Sequence, residues 1–273
     1  MPLITVLAIS LVAGYGGALL GLGGGILIVP ALTLGLGVPI RVAIGASLVS
    51  VVATSAGASA AFVRDGFTNI RVAITLEVAT VLGSLAGSMV TGLITPAAVQ
   101  LLFGVALAGS AIASLRIPHD EAREVVADRW SRRLRLAGWY PAKDGRRIEY
   151  EVTRVPLGLG LMFVAGATSG LLGIGAGALK VAAMDLGMKL PLKVSSATSN
   201  FMIGVTAAAG ALVYLVRGDV SAMVAGPVAL GVATGALLGG RALVKTETRR
   251  IRRIFVVVLV VISIEMVRRS IFP

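Results

Sequence analysis

The chain's most chemically suggestive feature is a pair of glycine-rich runs, Gly21-Leu22-Gly23-Gly24-Gly25 and Gly173-Ile174-Gly175-Ala176-Gly177, set 152 residues apart. Each precedes a short apolar stretch, so each reads as a backbone break that opens a short helix with free N–H groups. Such a helix start attracts anions through its donors and its dipole together. Glycines can also serve only to let helices cross closely, and the sequence leaves both readings open. A second cluster supplies hydroxyls and an amide: Ser195, Ser196, Thr198, Ser199 and Asn200, mirrored more thinly by Ser47 and Ser50. Short neutral donors hold an oxyanion without the desolvation cost of a buried full charge. Interhelical hydrogen bonding is their competing use.

Three ionisable residues stand inside apolar stretches: Glu77, Lys180 and Asp185. Charge within a membrane is costly enough to be a functional hypothesis by default. Lys180 follows the second glycine run by one helical turn and would add positive charge there. Glu77 and Asp185 are candidates for carrying a coupling proton or sodium ion. Against that, Glu77 lies near an expected span end, and Asp185 is spaced five residues from Lys180, poorly placed for an intrahelical pair. The candidate substrate site is therefore Gly23, Gly24, Gly25, Ser47, Gly175, Ala176, Gly177, Lys180, Thr198, Ser199 and Asn200.

Other chemistry is disfavoured. His119 is the only histidine and cysteine is absent, which removes thiolate and Cys/His zinc sites. A hydrolytic Ser–His pair on facing spans has no histidine to use. No GxxxxGK[ST] run signals ATP, and the glycines have no Rossmann context. No cofactor or metal is expected.

These residues must be positioned by helices in lipid. The 273 residues are 56% hydrophobic, 14% charged, and have a mean hydropathy of +0.94. One water-soluble core cannot hide that much apolar surface. The 152-residue offset also pairs Gly14 with Gly166, Leu27 with Leu179, Pro39 with Pro191, Ser47 with Ser199, Gly83 with Gly235 and Gly87 with Gly239. Duplication with a break in each copy is the mark of a secondary transporter. Gly83/Gly87 and Gly235/Gly239 have the GxxxG spacing of close helix packing.

Apolar stretches predict five segments per half: Leu3 to Leu20, Gly23 to Leu36, Ile40 to Val63, Val72 to Ile94 and Ala97 to Leu115, then Pro156 to Leu172, Gly175 to Leu186, Leu192 to Val216, Val220 to Leu243 and Ile254 to Phe272. The fold expected is an all-α polytopic membrane protein, with about ten helical segments as two inverted five-segment repeats and short broken second helices. Residues 1–116 form the first repeat, 117–154 a polar loop and 155–273 the second repeat.

The net charge of +12 follows topology rather than nucleic-acid binding. The short second segments are either broken crossing helices or re-entrant; if all segments cross, twenty basic residues fall on one side, ten of them between Arg116 and Arg154, and only Arg41, Arg217, Arg268 and Arg269 on the other, an asymmetry that re-entrant segments would largely remove. The positive-inside rule then makes the long loop cytoplasmic and both termini periplasmic. With no basic residue ahead of its apolar run, Leu3 to Leu20 reads as a retained span rather than a cleaved signal. In the loop, Val126, Trp130, Leu134 and Ala137 recur at helical spacing beside arginines, an amphipathic helix for the leaflet surface. Asp144-Gly145 before Ile148 and Tyr150 predicts a small hairpin.

At GLGGGILIVPALTLGLGVP and GIGAGALKVAAMDLGMKLPLKVSSATSNFMIGVTAAAGALVYLVRGD the chain resembles the TauE/SafE family of sulfite exporters and related anion permeases. The resemblance covers both apolar halves and excludes the Arg116 to Arg154 insert. It implies ATP-independent transport of sulfite, sulfonates or similar small organosulfur anions across a bacterial inner membrane. It touches Gly21, Gly23, Gly24, Gly25 and Pro30, then Gly173, Gly175, Gly177, Lys180, Thr198, Ser199 and Asn200. Two departures stand out: Ala176 replaces a usual glycine, and Ala182 stands opposite Pro30, so the second break is expected to be the stiffer. A passive anion channel and a membrane-embedded enzyme are the competing classes.

Overall fold

A computed structural model describes residues 3–19, 25–64, 66–115, 125–141, 146–243 and 248–271. The first half contains α1 (Leu3–Leu19), α2 (Gly25–Pro30), α3 (Ile40–Arg64), α4 (Ile70–Leu93) and α5 (Pro96–Leu115). Between the halves lie α6 (Arg129–Leu134) and the antiparallel pair β1 (Gly138–Pro141) and β2 (Arg147–Tyr150). The second half repeats the plan as α7 (Val155–Leu172), α8 (Gly177–Ala182), α9 (Leu192–Val216), α10 (Ala222–Leu243) and α11 (Thr248–Ile271). Three described helices, α4, α7 and α9, are individually long and apolar enough to cross a membrane; shorter apolar helices make up the rest of the bundle.

The distribution of polarity on α4 identifies the solvent. Thr80, Ser84, Ser88 and Thr91 are buried, whereas Ile74, Val78, Leu82 and Met89 are exposed. A helix in water would reverse this. Here lipid meets the aliphatic face, and the small hydroxyl residues pack inward against neighbouring helices.

Small residues also set the closest crossings. A Cβ on Gly83 would lie 2.1 Å from the Phe163 carbonyl oxygen, and one on Gly87 2.0 Å from that of Ala167. On the symmetry-related pair, a Cβ on Gly235 would lie 2.1 Å from the Leu11 carbonyl oxygen. The packing expected of the GxxxG spacings is thus present where α4 crosses α7 and α10 crosses α1. Each contact joins the first helix of one half to the fourth of the other.

Contacts along the central helices give their directions. Gly204 of α9 meets Ser55 of α3, and Gly210 meets Leu48, so α3 and α9 run antiparallel. Glu77 of α4 meets Thr206 and Ser88 meets Arg217, so α4 runs with α9. Equivalent helices of the two halves therefore point in opposite directions, as inverted repeats require.

The short second helices return the chain. Each is extended by a five-residue wide turn, Ala31–Gly35 or Ala183–Gly187, giving a length of about 16 Å at 1.5 Å per residue. Gly187 packs on Leu161 and Met188 on Gly158, so α8 runs back along α7. Gly173 sits beside Ile44, near the start of α3, while Gly177 sits beside Ser199 and Ile203 of α9. In the second half, the left-handed turns at Gly173, Gly175 and Ala176 and the half-length helix α8 together make the second pass. The wide turn follows Ala182 as well as Pro30, so proline is not its cause.

The described part of the insert is tied to the helices. Asp128 caps α6 by accepting from the Ser131 N–H and also accepts from the Val155 N–H at the start of α7. The helix expected through Ala137 stops at Arg135, whose φ of 52° turns the chain so that Leu136 is buried against Val72, Met188 and Val194. Trp130 and Leu134 stay exposed. The expected hairpin is present, with Tyr140 opposite Ile148 and Trp139 opposite Glu149, its turn lying outside the described residues.

Candidate functional site

The start of α2 meets the second break inside the bundle. A Cβ built on Gly25 would lie 2.8 Å from the Gly173 carbonyl oxygen, so the backbones touch where neither residue has a side chain. Ser47 donates to the Gly173 carbonyl at 2.7 Å and approaches that of Gly25 at 3.4 Å. Ser199 donates to the Gly177 carbonyl at 3.2 Å, repeating on α9 what Ser47 does on α3. Gly23 and Gly24 lie outside the described residues.

The second break is fully described. Gly173 closes α7 at φ 68°, donating to the Ser169 carbonyl. Gly175 has φ 70° and Ala176 φ 47°. Ala176 therefore occupies a left-handed conformation that costs a residue with a Cβ about 1–2 kcal/mol. Its carbonyl accepts the first α-helical bond, from the Lys180 N–H.

Lys180 is completely buried. Its side chain leans back toward the helix start, as helical side chains do, and Nζ donates to Thr206 Oγ1 at 2.5 Å. Thr206 in turn donates to Glu77 Oε1 at 2.6 Å, with the Met202 carbonyl as its other acceptor at 3.1 Å. The ammonium and the carboxylate interact electrostatically across this hydroxyl. Glu77 Oε2 is buried and has no hydrogen-bond partner. Interface snorkelling does not describe Glu77: it lies two turns into α4, half-buried, facing the interior. One helix from each half and the second half-helix thus bring a cation, a hydroxyl and an anion together next to the break.

Other expected residues take different places. Thr198 accepts from the Asn69 N–H at 3.1 Å and so faces the α3–α4 connection. Asn69 is a hub: its Oδ1 caps α4 at Val72, and its Nδ2 donates to the Leu136 carbonyl at 2.9 Å and to the Tyr150 hydroxyl at 2.8 Å. Burial pushes the Tyr150 hydroxyl up to about 12. Asn200 donates to the Ser196 carbonyl of its own helix. Ser50 bonds back to the Ser47 carbonyl. Asp185 is half-buried within the wide turn Ala183–Gly187. The hydrogen bonds described here link Lys180, Thr206 and Glu77 but do not bring Asn200 or Thr198 into that group.

Sequence reasoning missed Thr206. Its signal was its place two helical turns beyond Ser199 on one face of α9, but a lone threonine in an apolar helix gives no sign of its partners. Among the described pockets, a cavity of about 550 Å³ lies between α1, α2 and α11, lined by Val12, Leu27, Pro30, Leu34 and Ile262. Its walls are hydrocarbon, suited to an acyl chain and not to an anion.

This is a multi-pass membrane protein of inverted repeats with paired broken helices. The chain matches the family model described as Sulfite exporter TauE/SafE over residues 6–266 and belongs to that family. A relative from Bacillus subtilis (strain 168), described as the probable membrane transporter protein YunE, is 28% identical over 279 residues, spanning 100% of both chains. No solved structure matches.

Proposed function

We propose that the protein is an ATP-independent secondary transporter, an exporter, of sulfite, a sulfonate or a similar small organosulfur anion. The observation that supports this is the meeting of two glycine-broken half-helices between antiparallel α3 and α9, with Lys180 held next to them. Backbone N–H groups at the half-helix starts and a single ammonium give an anion enough attraction to leave water, while Ser47 and Ser199 hold the half-helix starts in place through the Gly173 and Gly177 carbonyls. Inverted repeats supply alternating access by rocking one repeat against the other.

Glu77 gives the coupling step a physical form. Through Thr206 it competes with the substrate for Lys180, so a proton on Glu77 releases the ammonium to the arriving anion. Proton binding at Glu77 and anion binding at Lys180 are thereby linked. Asp185 stays a second coupling candidate, with sodium as the other ion. The protein would lie in the bacterial inner membrane, its basic insert cytoplasmic and both termini periplasmic.

Purified protein in proteoliposomes tests the reading. Sulfite, sulfate, thiosulfate, sulfoacetate and taurine are offered in turn, and saturable uptake accelerated by the same anion on the opposite side is expected for at least one. Unsaturable flux without counterflow would indicate a channel instead. Orientation is read separately: Trp130→Cys should resist a membrane-impermeant thiol reagent in intact cells, and the chain has no other cysteine.

A further inference from the structure

Arg41 and Arg217 come from equivalent regions of neither repeat, yet both guanidiniums reach the last turns of α4. Arg41, in the first turn of α3, donates through Nη2 to the Ile94 carbonyl at 2.8 Å and the Gly92 carbonyl at 3.4 Å. Arg217, which closes α9, donates through Nη1 to the Ser88 carbonyl at 3.0 Å and through Nε to Asp219. Gly92 lies at their junction, and a Cβ there would be 2.5 Å from Arg217 Nη1. The guanidinium of Arg217 also stacks 4.7 Å from the Tyr214 ring, whose hydroxyl donates to the Gly170 carbonyl just before the second break. This cluster is at the opposite end of α4 from Asn69 and the insert.

Helix carbonyls and one carboxylate do not use these groups up. Arg41 Nε and Arg217 Nη2 are buried and have no hydrogen-bond partner. Two arginines against Asp219 leave one net positive charge, partly offset by the C-terminal dipole of α4. Orphan charged donors of this kind are costly in a protein interior, and a planar guanidinium fork matches the oxygens of a small oxyanion better than an ammonium does.

We propose that Arg41 and Arg217 form a second anion site, separate from Lys180, at the mouth opposite the insert, and that this site takes a sulfite- or sulfate-like oxyanion. The ligand class is shared with the transport reading, but the site can be tested by binding alone. Wild-type protein in detergent is treated with phenylglyoxal, and modification of Arg41 and Arg217 is followed by mass spectrometry with sulfite, sulfate or chloride present. Sulfite or sulfate should slow modification of both arginines several-fold more than chloride, and more than at Arg268 on the same face. Equal rates in all three salts would overturn the site while leaving the transport reading untouched.

Flux supplies the second readout. Arg41→Gln with Arg217→Gln should raise the half-saturating sulfite concentration about tenfold when the anion is offered on the Arg41 face, with no change from the other face. Arg41→Lys with Arg217→Lys keeps the charge and should recover part of the affinity. An equal change on both faces, or full affinity in the glutamine pair, would show that these arginines only cap α4.

Discussion

In the first half, Ile28 stands where the second half has Lys180, and Thr54 bonds back to Ser50 and Val51 of its own helix where Thr206 joins Lys180 to Glu77. Ala229 occupies the place that answers to Glu77. The frame around the breaks is nonetheless shared: Ser47 and Ser199 both reach the first carbonyl of their own half-helix, Ser47 with its shorter bond going across to Gly173, and both half-helices end in the same wide turn. Duplication therefore set the neutral scaffold, and divergence placed the charge on one side only. The two half-sites can share a substrate's outline but not its electrostatics.

Removing the shared frame should have the largest effect. Gly25→Leu forces a side chain against the Gly173 backbone, 2.8 Å from where its Cβ would sit, and neither chain segment can yield by a rotamer change. Transport should fall below detection in proteoliposome flux, while Gly35→Leu, with nothing within 4 Å of its Cβ, should retain it. Comparable flux in the two variants would mean the tips do not form the route.

Breaking the asymmetry comes next. Lys180→Met should weaken anion binding about tenfold or more, as expected when a charge-assisted interaction is lost, whereas Thr206→Val, which cuts the link from Glu77 to Lys180, should tighten it. Ile28→Met and Thr54→Val, the first-half counterparts, should stay within about twofold of wild type, since Thr54 bonds only locally and Ile→Met at the buried Ile28 removes no polar group and nearly conserves volume. Isothermal titration with the transported anion measures all four. Equal losses in both halves would erase the distinction.

The smallest effect concerns stiffness. Ala176→Gly relieves a left-handed alanine but gives the unfolded chain more freedom, a net gain of about 0.5 kcal/mol. A slightly raised melting temperature in detergent should accompany unchanged binding. A lower melting temperature would show that Ala176, buried at 3% exposure, contributes more by packing than its backbone costs.

The periodicity and the 152-residue offset made the passes, the breaks and the packing glycines legible before any coordinates, because helix length and close approach depend on local residue type. Lys180 stood out for the same reason, as a charge in an apolar run. Its partner did not. Glu77 is 103 residues earlier in the chain, and nothing in either segment encodes that Thr206 lies between them. Asn200 shows the same limit: the sequence offers an amide but not that its Nδ2 donates to the Ser196 carbonyl one turn back in its own helix. Tertiary bridges of this kind arise from how α4, α8 and α9 are packed, which the sequence pattern of one helix does not specify.

The antiparallel course of α3 and α9 also bears on how such a chain could arise. An odd number of passes sends a second copy into the bilayer upside down, so a single ancestral unit able to pair with its twin had to enter the membrane both ways round. Such a unit needs nearly balanced flanking charges, and an insert with ten basic residues between Arg116 and Arg154 would bias a fused pair toward one orientation. Residues 1–115 expressed alone with Arg64 and Arg71 neutralised are expected to populate both orientations, a mixture that reporter fusions at the two ends would count directly.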